Sequence, residues 1–500
     1  MQSRSVLELA QAFNLTRHGV GAPDVKGVSV VSSETQPGDL YVALPGRQTH
    51  GARYAAEALS RGAAAVLTDP AGADLLAAAG VHTAVLVADH PRSLLGAVSS
   101  MIYDTASLPF PVIAATGTNG KTSVLTLANA ILAQLGVDTA QSTTVERRIR
   151  AVSHPSALTT PEACDVHAFL SVAAEAHVGV AAVEVSAQAL TNHRVDGVVF
   201  DVVGFTNLTH DHLDDYGTME RYFEAKRAAF DPQRARCAVI NIADEWGRRL
   251  AASVAIPVVT IGADDADWRV EVLVEHPAGV EFRLTGPAHA SITTSVPLVG
   301  AYMAENAALA IVMLLQLDYP LPALADAFAR DGGIVVHLAG RTEVVSGVHG
   351  PTVLVDYAHT PNGIERMLEG VRRSTAGRIV VVLGADGDRD PTKRAAMGAA
   401  AARFADALVI TDFNPRFEAP GPIRAALIAG ALAESPDREL YEVADPVAAI
   451  HRAIELAHEG DTVVWAGPGP EQYHDVQGVK HPMSARDEAR RALRDAGWSE

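Results

Sequence analysis

The run Ala114-Ala115-Thr116-Gly117-Thr118-Asn119-Gly120-Lys121-Thr122-Ser123 holds the residue types that grip a polyphosphate. Its glycines let backbone N–H groups approach phosphate oxygens, and Lys121 can reach the terminal phosphates. The Thr122 hydroxyl suits Mg²⁺, a hard cation that prefers oxygen. The first glycine of the strict Gly-x4-Gly-Lys pattern is Ala115 here, so the loop is a variant. Further along, Glu184 ends an apolar run, and His210, Asp211 and His212 crowd the polar stretch from Phe205 to Met219. A carboxylate and an imidazole beside a phosphate loop point to nucleotide binding with bound metal ions. Glu184 could ligate Mg²⁺ opposite Thr122, and His212 is the residue expected to bind a second ion. His210 and Asp211 share that loop and are weaker candidates.

These side chains need a scaffold. Phe110 to Ala115 reads as a strand and Val124 to Leu135 as a helix, so the glycine loop lies where strand turns into helix. Ala181 to Glu184 and Asp201 to Phe205 read as further apolar strands. In parallel sheets the strand C-termini face the crevice where ligands sit, which would bring the three ends together. Met219 to Phe230 is helix-like, and on pattern alone its Lys226, beside Glu224 and Arg227, is a solvated lysine.

Strand-like runs alternate with alanine-rich helical ones almost throughout, the pattern of α/β domains with mainly parallel sheets. Residues 1–107 contain the strand-like Asp39 to Ala43, the helix-like Ala52 to Arg61 and the strand-like Ala64 to Leu67. Leu108-Pro-Phe-Pro111 reads as a linker, because prolines block helix continuation. Residues 108–338 carry the phosphate loop and, late on, a hairpin from Trp268 to Leu284 around Pro277-Ala-Gly279. Residues 339–500 open at Gly340-Arg341 and end in the helix-like Ser484 to Ala496.

At 500 residues the chain exceeds one hydrophobic core. A net charge of −19 argues against a general nucleic-acid or membrane-surface partner. Cys164 and Cys237 are the only cysteines, too few for a disulfide framework or a cysteine metal site. No apolar run reaches the roughly 18 residues of a membrane span, and Met1-Gln2-Ser3-Arg4 leads into no signal-type core. The expectation is a cytoplasmic protein, monomeric or weakly self-associating, that acts on small molecules.

The runs Thr116-Gly-Thr-Asn-Gly-Lys-Thr122, Leu158-Thr-Thr-Pro161, Glu184-Val-Ser186, Thr206 to Asp214, Gly217 to Lys226, Gly340-Arg341 and Asp356-Tyr-Ala-His-Thr-Pro361 occur in this order. Together they resemble the Mur ligases over essentially the whole chain, with the tripeptide-synthetase branch nearest in pattern. That resemblance implies a three-domain α/β architecture with a central P-loop-type parallel-sheet domain and a C-terminal Rossmann-like domain. Residues 1–107 would hold a UDP-type acceptor, 108–338 ATP, and 339–500 the incoming amino acid. The implied reaction joins an amino acid to an acceptor carboxylate through an acyl phosphate, releasing ADP and phosphate.

Site roles follow from the same resemblance. Lys121, Glu184, His212 and Lys226 would form the catalytic set. Lys226 would carry a CO₂-derived carbamate and share two Mg²⁺ ions with Thr122, Glu184 and His212. ATP would lie against Gly117 to Ser123, Asn306, Arg341, Asp356 and His359. Ser32, Thr159, Thr160, Ser186, Gln188 and Arg194 would meet the acceptor. Arg389, from the glycine-rich acidic loop Gly384 to Asp390, would join Phe413, Asn414, Arg416, Gly467 and Glu471 around the amino acid.

The departures from the family pattern gather on recognition. Asp-Ser-Arg appears as Val31-Ser32-Ser33, Glu-Val-Ser-Ser-His as Glu184-Val-Ser-Ala-Gln188, and the arginine before Asp211 as His210. Asp-Asn-Pro-Arg appears as Phe413-Asn414-Pro415-Arg416, placing an apolar ring where an anion would read a side-chain ammonium. Gly-Lys-Gly-His-Glu appears as Gly467-Pro-Gly-Pro-Glu471, without its basic residues. Kept ATP machinery with altered contacts leads to the expectation of a divergent paralogue with changed substrate recognition. Its alternatives are an ordinary tripeptide synthetase, acting on UDP-MurNAc-L-Ala-D-Glu, and a non-catalytic ATP-binding scaffold.

Overall fold

Segments such as Val112–Thr116, Ile379–Leu383 and Ala407–Ile410 carry no polar alternation, and every residue in them is buried. Only strands inside a sheet covered on both faces read this way. The computed structural model describes residues 3–46, 48–276 and 278–498 and sorts such strands into three main sheets.

A five-stranded sheet lies within residues 16–87, with Asp39–Ala43 and Ala65–Thr68 parallel at its middle. The central sheet has 11 strands. Its parallel middle sets Val112–Thr116 between Val180–Glu184 and Phe200–Phe205, in a register that pairs Ala115 with Glu184 and Thr116 with Phe205. The ends of these three strands therefore stand side by side, as anticipated. Antiparallel hairpins close both edges, one of them Trp268–His276 with Gly279–Thr285. The expected tip residue Pro277, like Met1 and Gln2, lies outside the described residues. The third sheet has six strands, with Thr352–Asp356, Thr462–Ala466, Ile379–Leu383 and Ala407–Ile410 parallel and adjacent.

Alternate residues of Val112–Thr116 enter two separate cores, Ile113 and Ala115 in one and Val112 and Ala114 in the other. The first core is filled by the helices Lys121–Gln134 and Ala301–Leu315, the latter buried over nearly its whole length. The phosphate-loop helix starts at Lys121, ahead of the expected Val124. Apolar periodicity cannot mark a first turn whose residues face a ligand. Similarly, the helix expected from Ala52 opens as a 3₁₀ turn, Gly51–Tyr54, before Ala55–Ser60.

In the third sheet's layer, helices Arg394–Phe404 and Pro420–Glu434 touch backbone to backbone. A Cβ on Gly430 would fall 1.8 Å from the Ala395 carbonyl oxygen, and one on Gly398 would fall 2.0 Å from that of Leu427. This contact seats the first of the two helices, and with it the preceding loop that carries Arg389 and Lys393. Gly430→Val should separate the pair and destabilise the protein by about 1–3 kcal/mol. A lower melting temperature with normal expression is the expected reading, and an unchanged one would contradict the packing described.

Candidate active site

Gly117 and Gly120 have φ of 147° and 88°, which glycine adopts freely. There is no room for a side chain either: a Cβ on Gly117 would sit 1.9 Å from Thr206 Oγ1. The loop is tied down by Thr206 Oγ1 donating to the Asn119 carbonyl at 2.6 Å and by the Asn119 N–H donating to Asn207 Oδ1 at 3.0 Å. No side chain caps the helix that begins at Lys121. Its first N–H groups are thus free to meet an anion, and the helix dipole favours one.

Lys121 Nζ donates to the carbonyls of Gly117 at 3.1 Å and Thr118 at 2.9 Å. Lys226 Nζ reaches the same Gly117 oxygen at 2.7 Å and lies 4.7 Å from the centre of the Tyr222 ring. Lys226 is only 2 % exposed, so the solvated lysine expected from pattern alone is corrected here. Helix Met219–Arg227 buries the face bearing Tyr222, Phe223 and Lys226. Burial, reinforced by Lys121, drives the Lys226 pKa well below that of an ordinary lysine. Burial also lowers that of Lys121. A downward shift of this kind favours the neutral, nucleophilic form of the amine.

Glu184 is 1 % exposed and both its oxygens are engaged. Oε2 accepts from Thr122 Oγ1 at 2.8 Å and from the Thr144 N–H at 2.9 Å, and Oε1 accepts from Thr144 Oγ1 at 3.0 Å. Thr160 Oγ1 donates to the Glu184 carbonyl at 2.7 Å and accepts from the Ser186 N–H at 3.1 Å. His212, in a left-handed conformation with φ 55°, stands 3.5 Å from the Asp211 carboxylate. Burial lowers the His212 pKa, so its imidazole is poised as a neutral ligand. The Thr122 hydroxyl and Glu184 carboxylate are oxygen donors that suit a hard divalent cation, and His212 borders the same cavity, within 4.8 Å of the Asp214 and Asp215 carboxylates.

Several contacts join this wall to the third sheet's layer. Asp211 receives Lys393 Nζ at 2.8 Å; burial would raise its carboxyl, but His212 and Lys393 hold it below the ordinary range. His210 faces Asp390 at 3.4 Å, and Asn119 Nδ2 donates to Thr360 Oγ1 at 3.2 Å. Arg341 stacks 4.3 Å from the Tyr357 ring centre with an Nη2 3.4 Å from Thr122 Oγ1. Asp356 accepts from the N–H groups of Thr342 at 2.6 Å and Ala358 at 2.7 Å. His359 Nδ1 donates to the Tyr357 carbonyl at 2.6 Å, and burial lowers its pKa to about 4. Asn306, which pattern alone would leave on a helix surface, is buried beside Gly120.

Most of these groups border one cavity of about 650 Å³, although Gly117 and Lys226 are not in its lining. It also takes in Thr159, Thr160, Ser186, Gln188 and Arg194 on one side and Arg389, Arg416 and Glu471 on the other. Six predicted site residues do not line it, two of them being Lys226 and the Gly117 whose carbonyl it meets. Ser32 lies in the first block and donates to Glu57 Oε2 at 2.6 Å. Phe413 is 5 % exposed and packs against Gly384 and Gly467, so its ring fills core instead of standing where an ammonium would be read. Gly467 belongs to that same packing. Asn414 is buried behind the wall, where its Nδ2 donates to Glu471 Oε2 at 2.8 Å. Sequence reasoning missed Thr144, Lys393 and Asp386 as site residues. Asp386 alone carried a signal, an acid inside a glycine-rich loop.

Family models match in order along the chain: Mur ligase family, catalytic domain (residues 24–103), Mur ligase middle domain (115–314), and Mur ligase, glutamate ligase domain (340–469). The chain is 53 % identical to the UDP-N-acetylmuramyl-tripeptide synthetase of Leifsonia xyli subsp. xyli, over 99 % of this chain and 97 % of that protein. It is 42 % identical to the UDP-N-acetylmuramoyl-L-alanyl-D-glutamate–2,6-diaminopimelate ligase of Streptomyces coelicolor, over 95 % of this chain and 94 % of that one. A solved structure of a ligase of the latter name superposes with a TM-score of 0.65 at 27 % identity, covering 100 % of both chains.

The free helix N-terminus and Lys121 make a direct prediction. ADP at about 100 times its Kd should stabilise the protein by about 2.7 kcal/mol, read as a raised melting temperature. Lys121→Ala should abolish most of that rise while leaving the ligand-free melt unchanged; an equal rise in the variant would contradict the assignment.

Proposed function

This chain belongs to the Mur ligase family, and from that premise we propose that it joins an amino acid to the peptide carboxyl of UDP-MurNAc-L-Ala-D-Glu with conversion of ATP to ADP and phosphate. It is an ATP-dependent, amide-forming ligase of tripeptide-synthetase type, so the scaffold alternative is set aside. The likenesses run the full length of the chain and give no support to the expected change of acceptor. The observation that carries the reading is a cavity bordered by a phosphate loop and a buried Glu184–Thr122 pair, with Lys121 and the buried Lys226 sharing the Gly117 carbonyl beside it.

A carboxylate resists attack by an amine because it is already anionic. Transfer of the γ-phosphoryl group to its oxygen gives an acyl phosphate. The amine then attacks the carbonyl carbon, a tetrahedral intermediate collapses to the amide, and phosphate leaves. The chain must hold two anions within bonding reach and keep water out. The N–H groups from Gly117 to Ser123 and the Lys121 amine serve the phosphates. Asn306, Arg341, Asp356 and His359 border the rest of the nucleotide. Thr159, Thr160, Ser186, Gln188 and Arg194 face the acceptor, and Arg389, Arg416 and Glu471 face the amino acid. Thr122, Glu184 and His212 would hold Mg²⁺, which in this family neutralises charge on the phosphates. Two ions and a carbamate on Lys226 complete the proposal. The neutral Lys226 amine attacks CO₂, a C–N bond forms, and the proton passes to water. An anion then faces the metal site where a surplus amine stood.

Phosphate release from ATP, with Mg²⁺ and bicarbonate, should require both UDP-MurNAc-L-Ala-D-Glu and an amino acid. Release with neither, or no release with any pairing, would overturn the reading. Lys226→Ala should lower turnover by about 100-fold or more, with partial recovery in formate or acetate. Full activity of that variant would remove the carbamate from the account.

A further inference from the structure

Glu471 and Asp386 both border the cavity and lie close enough to act on each other. Asn414 joins them: its side chain donates to Glu471 Oε2 at 2.8 Å and also hydrogen-bonds Asp386. The Asn414 carbonyl oxygen Oδ1 is fixed in turn by the Asp475 N–H at 2.8 Å. Arg416 Nη2 lies 3.3 Å from Asp386 Oδ1, while its buried Nε has no protein partner. Of the nearby cations, Arg416 and Arg389 act on Asp386, while Lys393 is committed to Asp211 at 2.8 Å and Lys480 lies over the Tyr473 ring at 4.1 Å. Burial raises both carboxyls, and Asp386 adds to the rise at Glu471, which reaches about 7. Two carboxylates that strain against each other in a half-buried wall are stabilised by a shared cation. The Arg416 guanidinium, on the cavity wall, suits a carboxylate.

This arrangement repairs a loss. The family's anion at position 413 is a phenylalanine here, and that ring is turned into the core against Gly384 and Gly467. Asp386 places a carboxylate on the cavity wall from a different loop. The basic residues of the family's Gly-Lys-Gly-His-Glu are prolines, Pro468 and Pro470, so a second carboxylate on the amino acid finds less to bind.

Resting on the ligase reading above, we propose that Asp386 is a specificity-determining residue, forming with Glu471 a pocket for the side-chain ammonium of the incoming amino acid. Arg416, which borders the same cavity, takes the α-carboxylate. The substrate class is an aliphatic diamino acid whose side chain ends in an ammonium without a further carboxylate.

The test measures binding to the ADP-loaded protein by calorimetry, together with kcat/KM, for L-ornithine, L-lysine, meso-2,6-diaminopimelate and L-norleucine. In the wild type one of the two simple diamino acids should exceed norleucine by about 100-fold and exceed diaminopimelate. Asp386→Asn should cut that preference about tenfold or more, with KM for ATP and acceptor unchanged and the melting temperature retained. Asp386→Glu should keep most of the preference, and Glu471→Gln should lower it. Because Glu471 ionises near 7, amid Asp386, Asn414, Arg416 and Lys480, preference in the wild type should grow from about pH 6 to about pH 8 and flatten in Glu471→Gln. Equal preference in wild type and Asp386→Asn, by binding or turnover, overturns the proposal. So does norleucine or diaminopimelate outranking the simple diamino acids. Selective binding without amide formation would instead leave Asp386 standing and remove the ligase reading.

Discussion

Lys121 and Lys226 point their amines at one oxygen, the carbonyl of Gly117, and the site is organised around that convergence. Like charges forced together away from water depress each other's proton affinity. The strain is relieved by an anion between the amines, by loss of a proton, or by conversion of one amine into an anion. A polyphosphate supplies the first and a neutral Lys226 the second. A carbamate on Lys226 would supply the third, leaving Lys121 as the single cation at the loop. Two lysines thereby take different roles from positions that differ chiefly in exposure, Lys226 being sealed beneath Tyr222.

Everything that makes the convergence possible is backbone geometry. Gly117 must adopt φ 147° against Thr206, and the strand ends at Ala115, Glu184 and Phe205 must stand in register. The helix Met219–Arg227 must bury its polar residue along with its aromatic ones. Contacts from the third sheet's layer, Lys393 to Asp211 and Asn119 to Thr360, then set that layer against the phosphate loop. A ligase whose substrates meet between layers needs such cross-contacts, because reacting groups displaced by an ångström lose most of the advantage of being bound together.

Much of this was legible in the residues. Strands buried on both faces announce themselves by unbroken apolar runs, and a carboxylate ending such a run, as Glu184 does, has few structural excuses. The phosphate loop was readable because strand and helix flank it. Lys226 was not, since a lysine between Glu224 and Arg227 has the pattern of a solvated face; the Mur ligase motif supplied what periodicity could not. Phe413 shows the opposite failure. Its position in a motif placed it at the substrate, but a ring beside Gly384 and Gly467 finds a better home in the core. Thr144 was invisible because a threonine in a loop acquires meaning only from the carboxylate it meets across the sheet.

The most direct test of the central claim is ¹³C NMR of the protein equilibrated with ¹³C-bicarbonate, with and without Lys226. A neutral amine at Lys226, held so by burial and by Lys121, should give one carbamate resonance in the wild type that is missing in Lys226→Ala. The resonance should persist in Lys121→Ala, where the amine remains buried. A wild-type spectrum with no carbamate signal across neutral to mildly alkaline pH would contradict the account, because a protonated Lys226 cannot bind CO₂ and would have to act as a second cation.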